Sequence, residues 1–162
     1  MNIYIFDLDD TIVKHNSLKI DYNDYKYDPE FLKLLEKCKC DKKYIFTNGT
    51  DGHAKLILNN MGISNVFDFI FSRTNNISMK PILSSYVYVQ NKIIEMNMNM
   101  NINQQFNDYF FFDDQLNNLS IAKDYMGWKT IWIHPNFLNK PDYIDYSFPN
   151  IYQALLSLNL IE

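Results

Sequence analysis

With 162 residues, 47% of them hydrophobic and 21% charged, the chain has the make-up of one ordinary globular domain (residues 1–162), long enough to bury a single core. A formal net charge of -4 argues against a protein held on nucleic acid by a basic face, so stable nucleic-acid binding is not expected. No stretch approaches a membrane span and the opening apolar run breaks at Asp7 without a basic start, so an intracellular, cytoplasmic protein without a membrane partner is expected.

Ile3-Tyr4-Ile5-Phe6 reads as a buried strand that stops at a carboxylate. Asp7 and Asp9, two residues apart in an extended segment, share one side of it. In open α/β sheets the carboxyl ends of the strands are where ligands gather. Two carboxylates that close do not both stay ionised without a cation, and magnesium, hard and oxygen-seeking, is the natural one. Taken alone, Asp-x-Asp-x-Thr is equally well explained as a solvated acidic turn.

From about residue 12 to residue 28 the sequence is polar and irregular, a flap carrying Tyr22, Tyr25 and Tyr27. These tyrosines are read as packing the flap onto the core, with stacking on a base or a partner contact as the alternative. Asp28-Pro29-Glu30 supplies an N-cap, a first-turn proline and an acidic first turn, which predicts a helix over 29–39. Cys38 and Cys40 near its end read as free thiols. With no second cysteine pair and with His15, His53 and His134 scattered, a zinc site is not expected.

Tyr44-Ile45-Phe46 is a second buried strand, ending in Thr47-Asn48-Gly49, and a helix over about 52–60 follows with Gly62 as its stop. Residues 67–71 form a third strand, and Lys80-Pro81 opens a helix carrying Val87, Val89, Ile93 and Ile94. The Asn/Met alternation over 95–105 reads as the end of that helix followed by a mobile loop. Residues 109–112 make a fourth strand ending in Asp113-Asp114. A helix runs to Met126 before Gly127, a fifth strand covers 128–133, a short last strand 143–144, and a last helix 150–158. Strands alternating with helices at this spacing imply an α/β protein, a doubly wound parallel sheet with helices on both faces.

Asp7 and Asp9, Thr47, Lys80, and Asp113 with Asp114 therefore converge on one edge of the sheet and together describe a phosphate site. Asp113 and Asp114 add oxygen ligands for magnesium. Thr47 and nearby backbone N–H groups can hold phosphoryl oxygens, Lys80 offsets the accumulated negative charge, and an aspartate remains to attack phosphorus and form a mixed anhydride.

Phe6-Asp7-Leu8-Asp9-Asp10-Thr11, Thr47-Asn48-Gly49, Lys80-Pro81 and Phe112-Asp113-Asp114 resemble, in order, the four motifs of the haloacid dehalogenase (HAD) superfamily, the aspartate-nucleophile phosphatases. The resemblance implies a Rossmann-like, HAD-like fold with Asp7 as nucleophile and metal ligand. Asp9 would be general acid and base, giving its main-chain carbonyl to the metal. Thr47 and Asn48 would hold the phosphoryl group, Lys80 would bridge it to Asp7, and Asp113 and Asp114 would anchor magnesium. The run from Thr47 to Ala54, Met61-Gly62-Ile63, Phe67-Asp68 and Asn118 is similar to pyrimidine 5′-nucleotidases of that superfamily. His53, at a helix start, is read as a surface or capping residue rather than a catalytic one.

Two departures stand out. Gln115 replaces the usual Ser or Thr, and only 35 residues lie between Thr11 and Thr47, too few for a full cap domain once one helix is accommodated. The implied activity is a magnesium-dependent phosphomonoester phosphatase with an aspartyl-phosphate intermediate. Its substrate would be a nucleoside monophosphate or another small phosphomonoester, or alternatively a phosphoprotein or polynucleotide end, and an open crevice also suits a homo-oligomer whose neighbour closes the site. A receiver-like signalling module would carry its acidic pair first and a lone mid-chain Asp, the reverse of what is seen. An idle binding module is disfavoured by the intact Asp7, Asp9, Thr47 and Lys80.

Overall fold

The computed structural model describes residues 1–15, 19–98 and 106–160. Its strands are β1 (Asn2–Phe6), β2 (Lys42–Phe46), β3 (Phe69–Phe71), β4 (Asp108–Asp113), β5 (Lys129–Ile133) and β6 (Tyr146–Phe148). Its helices are α1 (Pro29–Glu36), α2 (Asp51–Met61), α3 (Leu83–Asn97), α4 (Leu116–Met126) and α5 (Ile151–Leu160). All strand pairs are parallel, in the order β3-β2-β1-β4-β5-β6. The chain winds outward from β1 through β2 to β3, then returns to β4 and winds the other way. The carboxyl ends of β1, β2 and β4 thus meet where the strand order reverses, the place at which such sheets leave a crevice.

Alternation along β1 shows how the sheet is buried on both faces. Tyr4 and Phe6 join Phe31, Leu35, Ile57, Leu58, Ala154 and Leu155, the layer of α1, α2 and α5. Ile3 and Ile5 face the other way and join Tyr86, Val89, Leu119, Ala122 and Trp128, the layer of α3 and α4. A strand with no wet face can be apolar at every position, hence the unbroken run from Ile3 to Phe6.

Most boundaries fall within two residues of the sequence expectation, and the following differences have a visible local cause. α1 stops at Glu36 rather than near residue 39, because Lys37 and Cys38 close it with turn-type hydrogen bonds to Lys33 and Leu35. β3 starts at Phe69, since Ser64–Val66 takes a single 3-10 turn first. Lys80 and Pro81 lie in the loop before α3, which begins at Leu83. The last strand is Tyr146–Phe148, not 143–144: Ile144 is buried, but Asp145 turns onto Thr130 and Lys123, and only beyond it does the backbone pair with β5. α3 runs through the first part of the Asn/Met segment, and the loop expected after it lies outside the described residues.

Between β1 and α1 the described residues contain one helical turn, Tyr22–Asp24, and no cap domain. The flap is tied down by Asn60 Nδ2 donating to Tyr22 O at 3.1 Å, and Tyr22 and Tyr25 pack partly buried against the core. Tyr27 is exposed and lies over Gly62. No helix of the described residues is long and apolar enough to cross a membrane.

Gly62 and Gly127 close α2 and α4 in the left-handed conformation, with φ of 72° and 67°. A Cβ at Gly127 would meet open space, whereas one at Gly62 would come within 2.5 Å of Tyr27 Cδ2. Gly127→Ala is therefore expected to cost about 1–2 kcal/mol of backbone strain, and Gly62→Ala more. In urea unfolding the excess at Gly62 should disappear in a Tyr27→Ala background. Equal losses at the two glycines in the native background would contradict this placement of the flap.

Candidate active site

The sheet delivers Asp7 directly. Its N–H still donates to Phe112 O on β4 at 2.9 Å, although β1 has formally ended. The chain then folds back sharply: Asp10 takes φ 62°, and the N–H groups of Ile12 and Val13 donate to Leu8 O at 2.9 and 3.1 Å. This tight return places Thr11 beside Asp7, its Oγ1 donating to Asp7 Oδ2 at 2.9 Å and lying 3.3 Å from Asp114 Oδ1.

Lys80 is buried and bridges two carboxylates, Nζ donating to Asp7 Oδ1 at 2.9 Å and to Asp113 Oδ2 at 2.8 Å. The rings of Phe46 and Phe111 lie beside the ammonium, with centroids 5.0 and 5.3 Å away. Asn48 fixes this lysine through its peptide: Asn48 Nδ2 donates to Lys80 O at 2.9 Å and Lys80 N donates to Asn48 Oδ1 at 2.8 Å. The amide expected on substrate is thus spent on positioning Lys80. Thr47 is buried next to it, its Oγ1 accepting from Gly49 N at 3.0 Å.

Asp113 is wholly buried and accepts from Gln115 N at 2.8 Å and from Asn118 Nδ2 at 3.2 and 3.1 Å. Asp114 is partly exposed and accepts from the Gln115 side-chain amide at 2.9 Å. Trp132 Nε1 donates to Asp114 O at 3.0 Å while its ring stacks on His134.

Burial pushes Asp113 up to about 6, with Lys80 pulling the other way. Burial likewise raises Asp7, again opposed chiefly by Lys80, and raises Asp114, where the charge of Asp113 adds to the effect. Burial works against the Lys80 ammonium, but Asp113 and Asp7 outweigh it and hold its pKa above the ordinary value. Lys80 thus pairs with two of three neighbouring carboxylates, and oxygen atoms of Asp7, Asp113 and Asp114 lie within 4.8 Å of one another. The excess negative charge and the all-oxygen donor set fit a hard divalent ion such as magnesium.

The fold also gathers residues that looked unrelated in the sequence. His53 Nε2 lies 2.8 Å and His15 Nε2 2.5 Å from the same oxygen, Asp9 Oδ1. Their other ring nitrogens meet the flap: Tyr22 OH is 2.8 Å from His53 Nδ1, and Tyr25 OH contacts His15 Nδ1. His53, expected as a helix-surface or capping residue, sits in the capped first turn of α2 with its N–H donating to Thr50 Oγ1 at 3.2 Å, and its ring faces the site. His15 carried no signal except its nearness to Asp9 in a loop that must turn back. His134 stays apart. A cavity of about 370 Å³ lies between the flap and Tyr152, lined among others by Val13, His15 and Tyr25 but by none of Asp7, Asp9, Thr47, Lys80, Asp113 and Asp114.

No protein-family model matches the sequence, and no curated protein matches it. Solved structures do match. A HAD phosphatase from Thermococcus onnurineus superposes with a TM-score of 0.60 at 21% identity, over 81% of this chain and 57% of its own. An uncharacterized protein from Listeria monocytogenes serotype 4b gives 0.64 at 18% identity, over 99% and 100% of the two chains. The fold is HAD-like. The L-2-haloacid dehalogenase of Xanthobacter autotrophicus with chloropropionic acid covalently bound gives 0.58 at 15% identity, over 87% of this chain and 64% of its own. This chain therefore spans about three fifths of the phosphatase and of the dehalogenase.

The buried carboxylates give metal binding a pH signature. An unfolded aspartate titrates near about 3.9, and Asp113 in the folded chain near about 6. The folded state thus binds the proton more tightly, so without a metal the stability present at low pH is lost as pH rises through that window. A cation that binds the ionised form recovers it. Magnesium is expected to raise the melting temperature by several degrees at pH 7.5 and by little at pH 4.5, read by calorimetry. An equal rise at both pH values would remove Asp113 from the metal's surroundings.

Proposed function

We propose that this chain is a magnesium-dependent phosphomonoester phosphatase that works through an aspartyl-phosphate on Asp7. The observation that carries the reading is the convergence of Asp7, Lys80, Asp113 and Asp114 at the carboxyl ends of β1 and β4, beside Thr47 at the end of β2. Magnesium, held by Asp7, Asp113 and Asp114 with the Asp9 carbonyl, would supply charge neutralisation for the phosphoryl oxygens.

The protein's own groups account for the remainder. Lys80 and Thr11 hold both oxygens of Asp7, fixing the carboxylate in place for attack on phosphorus. The new Asp7–phosphorus bond forms as the bond to the leaving oxygen breaks, and that oxygen takes a proton. Asp9 is the donor: its Oδ1 is occupied by the two imidazoles, while Oδ2 faces the Thr47–Gly49 loop, 3.6 Å from where a Cβ on Gly49 would sit. In the second half Asp9 takes a proton from water, which attacks phosphorus and releases Asp7. Thr47 and the backbone around Gly49 bind phosphoryl oxygens, and Asn48 contributes by holding Lys80.

The dehalogenase likeness supports a second reading, displacement of halide by the same aspartate. That chemistry leaves the paired Asp113 and Asp114 without a task, whereas phosphoryl transfer uses them. A short flap, with no cap domain among the described residues, covers a phosphate and little beyond it, and a small phosphomonoester is the substrate class that fits such a site. Nucleoside monophosphates belong to it by the likeness of residues 47–54 to nucleotidases, and the open edge also admits a phosphorylated macromolecule or closure by a second copy.

Asp7→Asn is expected to abolish release of phosphate from an aryl phosphate in magnesium while leaving the melting curve cooperative. Asp9→Asn should slow turnover by about two to four orders of magnitude. Halide release from a 2-haloacid without phosphate release from any phosphomonoester would overturn the phosphatase assignment in favour of the second reading.

A further inference from the structure

We propose that Asp9, His15 and His53 form a second metal site, distinct in chemistry from the carboxylate cluster, that takes a divalent ion of the zinc class. Two imidazole nitrogens and a carboxylate oxygen, from the turn after β1 and from the start of α2, lie within 4.8 Å of one another. Their side chains are 30%, 16% and 12% exposed for Asp9, His15 and His53, so the cluster is sheltered but open on one side. Nitrogen and mixed donors favour zinc and its transition-metal neighbours over magnesium, which prefers oxygen alone.

The surroundings of the histidines point the same way. A metal-bound imidazole needs its remote nitrogen held by a hydrogen-bonding partner that fixes tautomer and ring plane. Both histidines have one, and in both it is a tyrosine hydroxyl from the flap, Tyr22 on His53 and Tyr25 on His15. A tyrosine hydroxyl can donate or accept. With no ion, each Nε2–H donates to Asp9 Oδ1 and each Nδ1 accepts from tyrosine. With an ion, each Nε2 lone pair turns to the metal and each Nδ1–H donates to tyrosine. The same side chains serve both states, the donor atoms moving apart from their direct contacts to admit the ion while each imidazole keeps its tyrosine partner. An ion here takes up the Asp9 carboxylate and withdraws it from proton transfer. Zinc therefore inhibits turnover, a consequence that rests on the phosphatase reading, whereas the site itself does not.

The test is calorimetric titration of the full chain with zinc chloride in excess magnesium. One equivalent is expected to bind, and stoichiometric binding should be lost in His15→Ala and in His53→Ala. Tyr22→Phe and Tyr25→Phe should each weaken it by about 10–100-fold, as outer partners of metal ligands do. Cys38→Ser/Cys40→Ser should bind as the native chain does, because those thiols are the rival zinc ligands. Binding that survives both histidine variants, or disappears with the thiols or with Asp113→Asn, overturns the site. Should a histidine variant fail to fold, nitrogen-15 spectra of the native imidazoles decide: zinc must shift the Nε2 resonances of His15 and His53, and unmoved resonances overturn the site. Zinc bound by the histidines in a chain with no phosphatase turnover leaves the site standing and overturns only the reading of its effect.

Discussion

Everything at the functional edge depends on a single buried ammonium group. Lys80 Nζ sits between Asp7 and Asp113, with side-chain exposures of 1%, 11% and 0%, so both carboxylates are largely withdrawn from solvent and lean on the ammonium for their charge. Removing one member of such a buried group leaves charge uncompensated, typically at a cost of about 3–5 kcal/mol. The lysine in turn is fixed by its peptide, which Asn48 grips at both the N–H and the carbonyl. β1, β2 and β4 are thereby joined across their ends by side chains as well as by the sheet. The arrangement is a poor means of gaining stability and a good means of fixing the position of Asp7.

The parallel sheet was legible in the sequence because its strands are buried on both faces. Ile3 to Phe6, Tyr44 to Phe46 and Tyr109 to Phe112 are unbroken apolar runs with no polar alternation to confuse them, and each ends in the polar group that lines the crevice. Edge strands were harder to read. β6 is the three residues Tyr146–Phe148, none of them fully buried, whereas the neighbouring Ile144 is wholly covered and draws attention to itself without pairing. Burial and strand pairing part company at sheet edges, and an apolar pattern reports only burial.

The histidines show the other limit. His15 and His53 are separated by 37 residues, and no periodicity links them. Their meeting at Asp9 Oδ1 depends on the fold-back after Leu8 and on α2 starting just beyond Gly49, two pieces of geometry that exist only once β1 and β2 are adjacent. Local patterns give elements and the residues at their ends, so the acidic and basic members of the crevice were visible. Contacts between loops are set by tertiary neighbours, and those were not. The flap tyrosines fall between these cases: aromatic content alone called for packing, which Tyr22 and Tyr25 do, while their hydroxyls reach the imidazoles.

Trp132 gives the molecule a built-in optical probe. The chain has only two tryptophans, and this one donates its indole N–H to the carbonyl of Asp114 while stacking on His134. Any ligand that shifts the Asp114 peptide changes the polarity felt by that indole and its separation from the imidazole. The other tryptophan, Trp128, is buried among Tyr86, Tyr109 and Phe111 and donates to Gln90, away from the crevice. A ligand that moves the Asp114 peptide is therefore expected to change the emission of Trp132 while that of Trp128 stays a constant background.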